Sequence, residues 1–369
     1  MTGPLAGLKI VELARILAGP WAGQLLADLG AEVIKVEADT GDDTRTWGPP
    51  FAADGSAAYF HGCNRGKSSV VIDFRTEDGR ARLLDLIAEA DVLIENFKVG
   101  GLAKYGLDYA SLKERFPRLI YCSITGFGQD GPYTHRAGYD FIIQGMSGLM
   151  SVTGEPDGQP QKVGVAVTDI FTGLYASTAI LAALRERDRS GEGQQIDLAL
   201  LDVAVAVTAN QSMNYLATGE APRRLGNDHP NIAPYRVFDC ADGHIILAVG
   251  NDGQFDSLCR LLDAPDLTSD PRFVSNPARV KNREDLVAAL TTLTRRWTKA
   301  DLLGACAERG VPAGPINDLE EVFADPQVRH RGMDISTDAG PGVRNPIRFS
   351  RSGSVSPQPA PKLGQDEPR

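Results

Sequence analysis

The sequence predicts an α/β protein: a large domain built on a parallel sheet with helices on both faces, followed by a smaller α+β domain. Three observations carry this. Strand-like and helix-like patterns alternate through the first 126 residues, as they do where strands are joined by crossover helices. Composition shifts at Gly219–Pro234, which is dense in Pro, Gly and polar residues. Beyond that point a hairpin signal precedes a run of helical patterns.

Leu8–Leu13 (LKIVEL) reads as a buried strand and Gly19–Leu29 as a helix, with Pro20 tolerated in its first turn. Ala31–Glu37 is a second strand and Ser69–Phe74 a third. Thr76 is suited to cap a helix that runs to Ala90. Asp91–Phe97 and Leu119–Thr125 continue the strands, and Gly126–Gly138 is a loop rich in Gly, Pro and Asp. Tyr139–Ser151 has a helical pattern. Asp169–Arg187 reads as a long helix, with Arg185, Arg187 and Arg189 near its end, where cations suit the macrodipole. Gln194–Leu201 adds a strand and Leu201–Thr218 an apolar helix. The expected division is a large domain over 1–218, a linker over 219–234 and a small domain over 235–322. In the small domain Tyr235–Ala248 forms two strands joined at Ala241-Asp242-Gly243. Helices follow near Gln254–Leu262, Arg283–Arg296 and Lys299–Arg309. The tail is rich in Pro, Ser and Gln and is expected to wrap a surface.

The 369 residues carry a formal charge of −10. An acidic chain argues against broad nucleic-acid or anionic-membrane binding, but not against a local basic pocket for an anionic ligand. No unbroken run of about 18 apolar residues marks a membrane span, and the first residues lack the pattern of a signal peptide. The cysteines, Cys63, Cys122, Cys240, Cys259 and Cys306, are odd in number and include no C-x-x-C pair. This favours a reducing cytoplasm and no metal site.

Several loops follow strands, where open α/β sheets bind ligands. The first, Ala14–Pro20, has one glycine where a dinucleotide site needs three, so the acid Glu37 at the end of the second strand does not establish an NAD site. Glu95-Asn96-Phe97-Lys98, with Lys104 downstream, could hold an adenine and its phosphates, or be a solvated loop. Asp169 opens the long apolar helix. Thr168 or Asp169 could simply cap that helix, or the helix dipole could keep Asp169 ionised as a nucleophile. Gly250-Asn251-Asp252-Gly253 is either a mobile loop or a helix entry capped by Asn251 or Asp252.

Taken together, LAGPWAGQLLADLGAEVIKVE (Leu17–Glu37), NRGKSSVVID (Asn64–Asp73), ENFKVGGLAKYGL (Glu95–Leu107), ITGFGQDGPY (Ile124–Tyr133), GYDFIIQGMSGLM (Gly138–Met150), TDIFTGLYA around Asp169, VGNDGQF (Val249–Phe255) and GVPAGPIN (Gly310–Asn317) resemble the class III coenzyme A transferases. That family includes formyl-CoA transferase, carnitine CoA-transferase and α-methylacyl-CoA racemase. The resemblance implies a Rossmann-like large domain, a small domain, and a return of the chain over 323–369 to the large one. It also implies an interlocked-ring homodimer. Asp169 matches the catalytic nucleophile. Leu17, Ala18, Ile72, Asp73, Phe74, Arg75, Asn96, Phe97, Lys98, Lys104, Ala137, Gly138, Tyr139 and Asp140 match CoA-binding segments. Gly250, Asn251, Asp252 and Gly253 match a loop that closes over the reacting carbonyls. The implied substrates are a CoA thioester and a carboxylic acid, with no tightly bound cofactor.

Departures narrow the reading. Leu17 stands where formyl-CoA transferase has Gln, and Asn251 and Asp252 interrupt a run of glycines, which argues against oxalate chemistry. Ala38 replaces an arginine that some members use on the CoA phosphates, leaving Arg45 and Lys67 as candidates to compensate. Tyr139 occupies the segment of the racemase histidine, and a phenol is a poor base at neutral pH, so transferase is favoured over racemase. The run Arg223–Tyr235 resembles members that act on small dicarboxylates such as succinate or glutarate; Arg224 or Arg236 could read a distal carboxylate. A catalytically silent acyl-CoA binder is the reading from another class, and thioester exchange separates it from an enzyme.

Overall fold

The computed structural model describes residues 3–337 and 340–366. Two compact units emerge: one comprises the described residues through Leu149, Val163–Ala209 and the chain from Asp325 onward, and the other comprises Met150–Lys162 and Asn210–Ala324.

The first unit is built on six parallel strands, β1 (Lys9–Glu12), β2 (Glu32–Glu37), β3 (Ser68–Val71), β4 (Val92–Glu95), β5 (Ile120–Thr125) and β6 (Gln195–Ala199), in the order β3-β2-β1-β4-β5-β6. Its helices are α1 (Ala18–Asp28), α2 (Ala58–Cys63), α3 (Glu77–Ala88), α4 (Tyr109–Leu112), α5 (Asp140–Met146), α6 (Val167–Ser190) and α7 (Leu200–Val207). Side chains alternate between the two faces of the sheet. Ile10, Ile94, Ile120 and Cys122 pack with Ala22 and Leu26 of α1 and Ala176 and Ile180 of α6. Val11, Leu93 and Tyr121 pack on the other face with Leu83 and Ile87 of α3. Thr76 caps α3 as its sequence suggests, its hydroxyl accepting from Gly79 N at 3.0 Å. Helix α6 is long and apolar enough to cross a bilayer by length and composition. Its buried Thr172, Gly173, Ala176, Ile180 and Ala183 instead make it the core helix beside α1.

A close approach fixes the α1–α6 pair. A Cβ on Gly173 would lie 2.7 Å from the Ala18 carbonyl oxygen. The absence of that atom lets the start of α1 sit against the first turns of α6. At the outer edge, Asp366 covers β3: its N–H donates to Ser69 O and its carboxylate accepts from Ser69 N, both at 3.0 Å. An edge strand is thereby paired rather than left open.

The second unit holds α8 (Ala209–Thr218), whose first residue closes the preceding segment, and an antiparallel sheet of β7 (Tyr235–Cys240), β8 (Gly243–Ala248) and β9 (Ala313–Pro315). Helices α9 (Asp252–Leu261), α10 (Asn276–Lys281), α11 (Arg283–Thr294) and α12 (Lys299–Glu308) surround a core that includes Phe238, Phe255, Phe273, Leu286 and Leu302.

The division at 218 and 235 is corrected in two places. Residues 150–162 and α8 belong to the second unit, and 219–234 is part of its body rather than a linker. The cause is polar. Arg224 donates to the carbonyls of Glu155, Pro156 and Gly158, tying the two strips of chain together. The apolar helix expected over Leu201–Thr218 is broken at Ala209, which has φ +45 and separates α7 from α8.

Candidate active site

β1 lies between β2 and β4, where the strand order reverses, and the crevice outside the carboxyl ends at such a point is the usual ligand site of an open α/β sheet. The turn leaving β1 is held from two sides. Asn96, just past β4, accepts from Arg15 N at 2.9 Å and donates to Arg15 O at 2.7 Å. Asp42, in the loop after β2, accepts from Ile16 N at 3.2 Å and 3.3 Å through its two oxygens. Ile16 is thereby kept at φ 72, a left-handed conformation that a β-branched side chain rarely adopts. The chain then enters α1 with Leu17 and Ala18 at the cleft.

That cleft, of about 450 Å³, is lined by Arg15–Ala18, Asn96–Val99, Thr134, Arg136, Ala137, Gly138, Tyr139 and Asp169, among others. Gly126 and Gly138 close the loop after β5, since a Cβ on Gly126 would stand 2.6 Å from Gly138 Cα. Leu17, Ala18, Asn96, Phe97, Lys98, Ala137, Gly138, Tyr139 and Asp169 are therefore brought together as the sequence anticipates.

Other expected residues are not at this cleft. Ile72 is buried in the core behind the sheet. Asp73 and Arg75 pair with each other at 2.7 Å and 2.9 Å on the exterior. Phe74 meets Phe97 at 5.7 Å and Tyr105 at 5.4 Å between ring centroids, and the Lys104 ammonium stands 4.8 Å from the Tyr105 ring. These four form an aromatic and cationic patch that joins the cleft through Phe97. The amide of Asn96 is spent on the Arg15 backbone, so its role is to position the turn.

Asp140 is also corrected. Its Oδ1 accepts from Thr168 N at 2.8 Å and Thr168 Oγ1 at 2.5 Å, and its Oδ2 accepts from Gln144 Nε2 at 2.7 Å. Neither Thr168 nor Asp169 caps α6; the capping oxygen comes from α5. This leaves the Asp169 carboxylate uncommitted at the wall of the cleft. Burial, and secondarily the Asp140 charge, push Asp169 up to about 7. Burial beside a like charge thus opposes the helix dipole that favours the ionised form. Replacing Asp140 with Asn removes the charge and keeps an acceptor for Thr168. The acid limb of the Asp169 titration should then move to lower pH, measured by the pH dependence of thioester attack; an unmoved limb would remove Asp140 from the electrostatics.

Three cleft or near-cleft residues escaped the sequence reading. Arg136 stands 4.5 Å from the Tyr133 ring and 5.2 Å from that of Phe127, held by the aromatics of its own loop. The Tyr59 hydroxyl is pushed up to about 12, by burial first and then by the Asp169 charge, so it stays a donor. Arg15 is the third. The F-x-x-x-x-x-Y spacing around Arg136 was the available signal; Tyr59 has none.

Arg45 and Lys67 cannot serve the cleft. Arg45 is buried and donates to both oxygens of Glu37, at 2.8 Å and 2.7 Å. Glu37 also accepts from Ser69, which makes it a structural acid. Lys67 Nζ donates to both oxygens of buried Glu12, each at 2.9 Å. Among the described residues no cluster of His, Cys, Asp or Glu could hold a metal ion.

In the second unit, Asn251 caps α9, its Oδ1 accepting from Gln254 N at 2.9 Å, and Gln254 Oε1 accepts from Gly250 N at 2.7 Å. Asp252 pairs with the buried Arg279 at 2.7 Å. Arg236 pairs with Asp228 at 3.2 Å, so both it and Arg224 are occupied by internal partners.

A Rossmann-ordered sheet with a carboxylate opening a core helix, opposite the first turn of α1, defines the class. The model of CoA-transferase family III matches residues 5–367, and the chain belongs to that family. It is 59% identical over 99% of its length, and 94% of the relative's, to the succinate–glutarate CoA-transferase of Agrobacterium fabrum. It is 43% identical, over 98% of its length and 84% of the relative's, to the succinyl-CoA:glutarate CoA-transferase of Homo sapiens. A crystal structure of a CaiB/BaiF family protein from Brucella suis superposes with a TM-score of 0.89 at 60% identity, covering 99% of this chain and 97% of that one.

Proposed function

We propose that this chain is an acyl-CoA:carboxylate CoA-transferase that works through a covalent Asp169 intermediate and moves CoA between small dicarboxylates, with succinyl-CoA as donor and glutarate as acceptor. One observation carries the mechanism: Asp169 is free of internal partners and faces the same cleft as the first amides of α1. The carboxylate oxygen attacks the thioester carbonyl, the C–S bond breaks, and CoA leaves as the thiolate. The thiolate then attacks the aspartyl carbonyl of the mixed anhydride, the anhydride C–O bond breaks, and the donor acid departs. The incoming carboxylate repeats these steps in reverse. Charge on the tetrahedral oxygens is met by the unpaired amides that open α1. The thioester's free energy is conserved throughout, so no nucleotide is hydrolysed. The named activities of the relatives support the substrate pair.

Incubation with succinyl-CoA followed by hydroxylamine should give a hydroxamate at Asp169, read by mass spectrometry. A panel of acyl-CoA donors and carboxylic acids should show preference for four- and five-carbon diacids. A protein that binds succinyl-CoA yet forms no adduct and exchanges no CoA would be a binder, and the proposal would fail.

We further propose that the working form is an interlocked homodimer. Phe141 and Ile142 of α5 and Phe171, Leu174 and Tyr175 of α6 are exposed apolar side chains near the nucleophile's end of the helix, a pattern suited to a protein interface. Light scattering should give twice the chain mass. The five cysteines are free and buried, which suits a reducing cytoplasm.

A further inference from the structure

We propose that Arg15 binds a phosphate of the nucleotide half of CoA, supplying the cation that the loop after β2 lacks; this rests on the CoA-transferase reading. In that loop Ala38 is apolar and Arg45 is buried on Glu37. Arg15 reaches the same loop from the end of β1. Its guanidinium is 3.3 Å from Asp43, five residues past Ala38, and 5.9 Å from the centroid of the Phe97 ring. It therefore stands where the Asp169 cleft meets the Phe74–Phe97–Tyr105 aromatic patch, between the place for a thioester and the place for a stacked base.

The mount is rigid and the side chain is available. Asn96 holds both backbone polar groups of Arg15, and Asp42 holds the next amide. The Arg15 side chain is 53% exposed, and its ion-pair partner Asp43 is 55% exposed. Exposed pairs of this kind are weak. A phosphate, with more charge and the geometry for a two-pronged contact with guanidinium, displaces a solvated carboxylate. Arg136, by contrast, is stacked on Phe127 and Tyr133 and contacts the Met146 sulfur. Lys98 also lines the cleft but offers a point charge without the planar fork.

The test uses the full-length protein with Arg15→Gln and Arg15→Lys variants and three donors: succinyl-CoA, succinyl-dephospho-CoA and succinyl-pantetheine. Arg15→Gln should raise KM for succinyl-CoA about ten- to hundredfold with kcat little changed and the melting temperature unaltered, and Arg15→Lys should recover part of the loss. With succinyl-pantetheine, which has no nucleotide phosphate, wild type and variant should be equal. A loss that persists with succinyl-dephospho-CoA assigns the contact to the diphosphate, and a loss that vanishes assigns it to the 3′-phosphate; both support the proposal. Unchanged KM for succinyl-CoA, or an equal loss with succinyl-pantetheine, overturns it. Calorimetric titration with free CoA and dephospho-CoA repeats the comparison without turnover. A wild-type protein that binds CoA but exchanges none would thus defeat the functional reading while leaving Arg15 tested.

Discussion

Replacing Asp169 with Ala should abolish CoA exchange, lowering kcat by roughly 10⁴-fold or more, as loss of a covalent nucleophile does, while CoA still binds. The cleft proposed to receive CoA is formed mainly by other residues, so binding and chemistry should separate in this variant. No hydroxamate should form. Turnover within tenfold of wild type would refute the covalent role. The same carboxyl predicts the pH dependence of the wild-type enzyme. Only the ionised form attacks, and burial with the Asp140 charge holds Asp169 up to about 7. Therefore kcat/KM for the first half-reaction should fall about tenfold per pH unit below that value, and a profile flat down to pH 5 would sink the assignment. The stability consequence has the opposite sign. A carboxyl raised in the folded state binds a proton that the unfolded chain has already released between its ordinary range and 7. It therefore costs stability as pH rises through that window. At pH 8 the Asp169→Ala protein should melt no lower than wild type, by scanning calorimetry, even though it is inactive.

The largest stability loss is expected from Glu12→Ala. Glu12 is fully buried on β1 and accepts from Lys35 at 3.1 Å and from Lys67 at 2.9 Å. Lys35 continues to Asp42 at 2.9 Å, and Asp42 holds the Ile16 amide. Burial opposes the charge on both lysines. For Lys35 the carboxylates of Glu12, Asp42 and Glu37 overcome it, and its affinity for the proton rises. For Lys67 burial prevails over the pull of Glu12, with Lys35 as a like neighbour, and its affinity falls. Truncating Glu12 leaves both ammonium groups in the core without their shared carboxylate, a loss of about 3–5 kcal/mol. In denaturant titration the midpoint should fall with the slope retained, whereas a change under 1 kcal/mol would show that the network relaxes or hydrates. Because the same network ends on Asp42, the variant should also weaken CoA binding through the Ile16–Ala18 turn.

Strands β1, β4 and β5 were legible because burial on both faces writes apolar runs of strand length, such as LKIVEL and LIYCSIT, into the chain, whereas β6 is buried only at Ala199. Asp169 was legible as an acid opening a long helix. Its capping partner was not, since Asp140 lies 28 residues earlier and nothing local records that its carboxylate reaches Thr168. Glu12 and Lys35 lie inside predicted strands and Lys67 stood as a candidate for the CoA phosphates; only their convergence in the core makes them a network. The reassignment of 150–162 to the second unit has the same origin, because Arg224 finds its carbonyls across 66 to 69 positions.

By itself, then, the sequence determined the class of fold, the order of strands and helices along the chain, the family, and part of the set of residues that line the Asp169 cleft. Local periodicity and short motifs carry that information because they report burial and turn chemistry within a few residues. The tertiary structure decided which charges are spent internally and which face the cleft. Arg45 and Lys67 went to buried acids, Asn96 went to the backbone, and Arg15 was left at the cleft. Such pairings depend on which strand ends become neighbours when β1 is inserted between β2 and β4, an outcome of packing the whole sheet that no local stretch of residues encodes.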